Sequence, residues 1–171
     1  MTRRSVGQRF LVAACLAGGT HAAFSLYWAV GGGWLFDTVG RGAVDLQAER
    51  PLAAAAVLVA AAAVKGAVAV LPLLVERGRL ARLRRLARLG SWLAGAVLVV
   101  YGTVIALVSA AVLSGAIAVD GDIDRRGMLG HALIWDPLFA VWGVCLTIGL
   151  WCTRQRGRLG DAVQVDSYAA G

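Results

Sequence analysis

Six arginines crowd into twelve residues near the middle of this chain: Arg77, Arg79, Arg82, Arg84, Arg85 and Arg88. Apolar runs flank the block, Leu52 to Val75 before it and Ser91 to Ala118 after it. Each run is long enough to cross the hydrocarbon core of a bilayer as a helix. Guanidinium groups do not settle in that core, so the two runs read as a hairpin whose bend stays on one side. Lys and Arg favour short cytoplasmic loops, which assigns the bend to the cytoplasm.

Two further runs, Phe10 to Val30 and Leu129 to Trp151, give four expected helices at about residues 10–30, 52–75, 91–118 and 129–151. The first run is longer than the core of a signal peptide and ends in Tyr27-Trp28, an interfacial anchor, so a span is expected rather than a cleaved leader. The chain is 59% hydrophobic with a mean hydropathy of +0.72, and its few charged residues, 16%, gather between the runs. The expected fold is all-α, an integral membrane four-helix bundle. Charge sorts by side. Residues 1–9, 76–90 and 152–171 hold twelve basic and three acidic residues, +9, while the two other loops sum to −2. Both termini and the arginine hairpin are therefore expected in the cytoplasm, and the protein in the cell (cytoplasmic) membrane as a multi-pass chain.

The net charge of +7 would suggest nucleic acid in a soluble protein. Here its placement points to the lipid bilayer, with anionic lipid at the six arginines, and no nucleic-acid partner is expected. On a helical wheel Leu80, Leu83, Leu86 and Ala87 oppose Arg82, Arg84, Arg85 and Arg88, the pattern of a short helix lying on the membrane surface. The tail from Cys152 lacks apolar periodicity and reads as disordered.

Between the spans, Gly31-Gly32-Gly33 breaks the first helix, Trp34, Leu35 and Phe36 suit the headgroup level, Pro51 suits a first helical turn, and Pro72 is expected to kink the second span. Asp120-Gly-Asp-Ile-Asp124 resembles the start of a calcium loop, but Arg125 and Arg126 stand where glycine and further ligands belong, so no metal is expected. Cys15, Cys145 and Cys152 form no CxxC pair and read as small apolar filler. Hydrolase, zinc-protease and phosphate-loop signatures are missing. No catalytic residue, enzyme activity or cofactor is expected.

Small residues mark faces for close helix approach: Gly95, Gly102, Ala106 and Ser109 in the third span, and Asp136, Ala140, Gly143 and Thr147 in the fourth. Three ionisable residues, His21, Lys65 and Asp136, lie inside apolar runs, where such groups are functional candidates by default. From the outer ends of their helices they lie roughly 14, 20 and 10 Å deep, close enough for one cluster. His21, Ser25 and Trp28 share a stripe, and Asp136 shares its stripe with the small residues. Pro137 frees carbonyls one turn back. Candidate ligand-binding residues are His21, Ser25, Trp28, Lys65, Trp135 and Asp136. The same groups also fit a structural reading: Asp136 paired with Lys65 or with His21, or Lys65 snorkelling to a headgroup layer. His131, one turn before Trp135, can titrate near neutral pH but stands alone in the pattern.

Two stretches, Leu26-Tyr-Trp-Ala-Val-Gly-Gly32 and Gly130-His-Ala-Leu-Ile-Trp-Asp-Pro-Leu-Phe-Ala-Val-Trp-Gly143, resemble the domain of unknown function 3995 family of short prokaryotic four-span membrane proteins. The resemblance runs from about Leu11 to about Trp151 and implies four helices and a membrane location, with no established activity. In that family a His often stands two places before the Tyr; here that place is Ser25, and His21 lies one turn earlier on the same face. The expected function is a membrane protein acting through helix packing, as a partner subunit, an envelope accessory or a homo-oligomer. The alternative is a small-molecule or ion binder or carrier built on the polar cluster.

Overall fold

The computed structural model describes residues 2–79 and 81–154. Its elements are α1 (Arg3–Ala29), a 3-10 turn (Phe36–Thr38), α2 (Arg41–Glu49), α3 (Pro51–Glu76), a second 3-10 turn (Ala81–Leu83), α4 (Arg84–Leu113), α5 (Arg125–Gly130), a π-helical turn (His131–Trp135) and α6 (Asp136–Thr153). α5, the π turn and α6 form one continuous rod, Arg125–Thr153. That rod, α1, α3 and α4 are the four helices long and apolar enough to cross a membrane. The fold is all-α, and no strand occurs among the described residues.

Local chemistry sets the helix ends. Thr2 caps α1 by accepting from the Ser5 N–H, and Pro51 opens α3, where its missing N–H has no partner to lose. α3 stops where Gly78 turns the chain back at φ 79°, and α4 stops before Gly115 at φ 77°. The arginine segment departs from the expected surface helix. Arg84, Arg85 and Arg88 begin α4 itself, and only a single 3-10 turn precedes them; Leu80, part of the expected apolar arc, lies outside the described residues. α6 takes in Cys152 and Thr153, while the rest of the tail expected to be disordered, beyond Arg154, lies outside them too.

The packing order differs from the chain order. α1 lies against α3 and α6, and α6 against α4, whereas α3 and α4 touch sparsely. The first and last helices are thus the inner pair. They run antiparallel: Gly7 meets Cys152, Leu11 meets Gly149, and Gly18 meets Trp142. Leu11, Trp142, Leu146 and Leu150, each 1% exposed, are the heart of the core. The small faces of α4 and α6 engage each other. A side chain on Gly102 would strike the Asp136 carbonyl and the Ala140 nitrogen, one on Gly143 would strike Val99 and the Gly95 carbonyl, and one on Gly95 would strike Thr147.

At the arginine end, Arg88 turns inward. It pairs with Glu76 of α3, and its other nitrogen donates to the Leu150 carbonyl of α6 at 3.1 Å. The opposite end is knitted from the two loops. Arg41 of α2 donates from its backbone N–H to Asp124 at 2.6 Å and from its side chain to Asp122 at 3.1 Å, and Arg126 pairs with Asp37. Two of the three aspartates that resembled a calcium loop, Asp122 and Asp124, are engaged in these ties. Asp124 also caps α5 through the Gly127 N–H. That bond foremost, with the bond and charge from Arg41, holds its carboxyl below the usual carboxylate range. Phe36, expected at the headgroup level, instead tucks under the loop against Trp28 and Trp135, 6% exposed.

Candidate ligand-binding cavity

The site begins with a proline. Pro137 has no N–H to offer the preceding turn, and just before it the helix winds wide, as a π turn from His131 to Trp135. Residues five apart on an α-helix point about 140° away from each other. Across a π turn they come onto one side. His131 and Asp136 accordingly meet, Nδ1 to Oδ2, at 2.6 Å. The loop after α1 then fixes the ring from the other side, because His131 Nε2–H donates to the Val39 carbonyl at 3.2 Å. Thr38, beside Val39, accepts from the Trp135 indole at 3.0 Å and lies so close to Gly130 that no side chain fits there. Loop and π turn therefore hold one another.

Both nitrogens of His131 face oxygen. The Val39 carbonyl can only accept, so Nε2 carries a proton, and a second proton lies in the short bond to Asp136. Whether that proton is drawn on the ring or on the carboxyl, the pair is neutral as a unit. Asp136 is 1% exposed, and its other oxygen, Oδ1, is buried with no hydrogen-bond partner.

His21 comes from α1. Its Nε2–H donates to the Trp135 carbonyl at 3.1 Å, and its ring stacks on Phe139 with centroids 3.8 Å apart. Lys65 reaches in from α3. Its Nζ donates to Ser25 at 3.0 Å and stands 5.5 Å from the centre of the Phe139 ring. The expected pairing of Asp136 with Lys65 or His21 is not formed: among the described residues the ion-pair partner of Asp136 is His131, and no carboxylate lies within ion-pairing reach of Lys65.

These side chains surround a cavity of about 260 Å³, lined by His21, Trp28, Lys65, Trp135, Asp136 and Phe139, with Val39, Tyr101 and His131 completing the wall. α1, the π turn and α6 supply two lining residues each, and α3 and α4 one each. Of the six candidates read from the sequence, five line the cavity, and the sixth, Ser25, holds Lys65 in place. His131, Phe139, Tyr101 and Val39 are additional. A His five residues before an Asp-Pro pair is the signal that locates His131; the other three carry no mark in the sequence.

Residues 18–146 match the family described as Protein of unknown function (DUF3995). The chain belongs to this family. The match starts at the Gly18 contact with Trp142 and takes in every residue of the cavity. Both stretches that carried the resemblance, Leu26–Gly32 and Gly130–Gly143, lie within it, and the second one is the π turn and the first half of α6. No curated protein and no solved structure matches the chain.

Proposed function

We propose that this member of the family is an integral membrane protein that binds a small anionic molecule in the cavity between α3 and α4. The observation that carries the reading is Lys65, a cation within the apolar span with a hydroxyl for a partner and, among the described residues, no carboxylate in reach, facing a cavity beside a neutral His131–Asp136 pair. A charge held in such surroundings is costly unless it is balanced. An anion on Lys65 balances it. The packing reading drew on the small-residue faces of α4 and α6, and those faces are occupied within the chain, so they lend no support to a partner subunit.

On this reading the N-terminus and the arginine hairpin face the cytoplasm of a cell membrane, and Arg77, Arg79, Arg82, Arg84 and Arg85, all exposed, meet anionic headgroups. Arg88 is withdrawn from that set by Glu76. The test is purification in mild detergent followed by mass spectrometry of what co-purifies, for the wild type and Lys65→Met. An anion carried by the wild type and lost from the variant is expected; identical contents would overturn the reading.

A further inference from the structure

We infer that the anion held at Lys65 carries a hydroxyl group, which it donates to the free carboxylate oxygen of Asp136. This rests on the reading of Lys65 as an anion site. Oδ1 of Asp136 is fully buried, has no partner and belongs to a residue that lines the cavity, while Oδ2 is taken by His131. A buried acceptor without a donor is an uncommon and costly state. Asp136 lines the cavity, and a hydroxyl on the occupant that neutralises Lys65, brought against that buried oxygen, supplies the missing donor.

Charge decides which donor. His131 and Asp136 are neutral together, and Lys65 adds one positive charge. A monoanion brings the cavity to zero. An occupant that also carried an ammonium would leave the excess charge in place, buried and unbalanced. A hydroxyl donates without adding charge. The volume, about 260 Å³, is that of eight or nine liquid waters at about 30 Å³ each, so the occupied part of the ligand is a group of a few heavy atoms. Lys65 has two protons left after Ser25 for the anion, and the rings of Trp28, Trp135 and Phe139 bound the apolar remainder. Because α3 and α4 touch sparsely, the same chemistry can arrive from two sources: a small hydroxy acid from water, or the headgroup of an anionic lipid from the side.

The experiment uses the full chain in detergent or nanodiscs and two matched pairs of monoanions. Lactate and propionate differ by one hydroxyl, and the headgroup of phosphatidylglycerol carries two hydroxyls where that of phosphatidylethanol has none. Binding is read by thermal stabilisation and by native mass spectrometry, in the wild type and Lys65→Met. A hydrogen bond to a charged acceptor is worth about tenfold or more in affinity. The hydroxylated member of one pair is expected to bind about tenfold tighter than its mate, and both members to be lost in Lys65→Met. The pair that responds identifies the source. Equal affinities within a pair that binds in a Lys65-dependent way would overturn the hydroxyl and leave the anion site standing. Tighter binding of phosphatidylethanolamine than of either anionic lipid would overturn it in favour of an ammonium. If no anion distinguishes the wild type from Lys65→Met, the anion site itself is refuted.

Discussion

His131 Nδ1 and Asp136 Oδ2 meet at 2.6 Å because the helix between them is wound wide, and the neighbouring Pro137 is the reason it is. Removing the imidazole leaves neither carboxylate oxygen with a partner. His131→Ala is expected to lower stability by about 1–3 kcal/mol. Combined with Asp136→Asn the loss should be smaller than the sum, because both changes break the same bond. Detergent melts of the single and double variants check both statements.

Gly102 and Gly143 set the distance between α4 and α6. Leucine at either position would overlap backbone atoms of the other helix, and a loss of about 1–3 kcal/mol or more is expected. Gly66→Leu, where nothing lies within 4 Å, is the matched control and should be neutral or better. Thermal unfolding monitored by tryptophan fluorescence decides it.

Arg88 differs from its five neighbours in being half-buried and bound to two other helices. Arg88→Ala should cost about 1–3 kcal/mol, while Arg84→Ala and Arg85→Ala should stay within about 0.5 kcal/mol. Equal effects in the same melts would mean that Arg88 is one more surface charge.

Asp124 gives the loop end a pH dependence with a definite sign. Its carboxyl is held below the ordinary range in the folded state, so the stability it contributes is complete above that range and is lost as pH falls through the depressed folded value. The wild type should lose loop closure in that acidic window, read by proteolysis or hydrogen exchange across residues 36–50. Asp124→Asn should flatten the dependence.

Orientation is checked by labelling. Arg79 is exposed and, unlike its neighbour Gly78 at φ 79°, accepts a side chain without backbone strain. In a background lacking the native cysteines, Arg79→Cys should stay unreactive to an impermeant thiol reagent in intact cells and react after lysis.

The four helices were legible because membrane-length apolar runs announce themselves. Their ends were not, because the long stems of Arg3, Arg4, Arg9 and Arg84 carry helices past the apolar stretch and the sequence shows no boundary there. α2 was missed because nine residues are too short a window for a period to stand out, although Ala43 and Val44 do pack against the cluster of Trp28, Phe36 and Trp135. In the site, His21, Lys65 and Asp136 stood out as polar residues in apolar surroundings. The partner of Asp136 did not, since wheel arithmetic at 3.6 residues per turn sends His131 to the wrong side. Tyr101 and Phe139 looked like any lipid-facing aromatic, and only the arrangement of helices makes them walls.

The inner pair of the bundle is α1 and α6, and α6 follows α1, α3 and α4 along the chain. During synthesis α1 can settle against α3 early, with Gly18 on Ala69, but Leu11 meets Gly149 and His21 meets Trp135 and Phe139 only once residues 135–153 have been made. Neither the core, which needs Trp142, Leu146 and Leu150, nor the cavity wall, which needs Trp135, Asp136 and Phe139, can be complete before that stretch is present. A chain interrupted before that stretch would carry α1, α3 and α4 with neither the core nor the cavity closed.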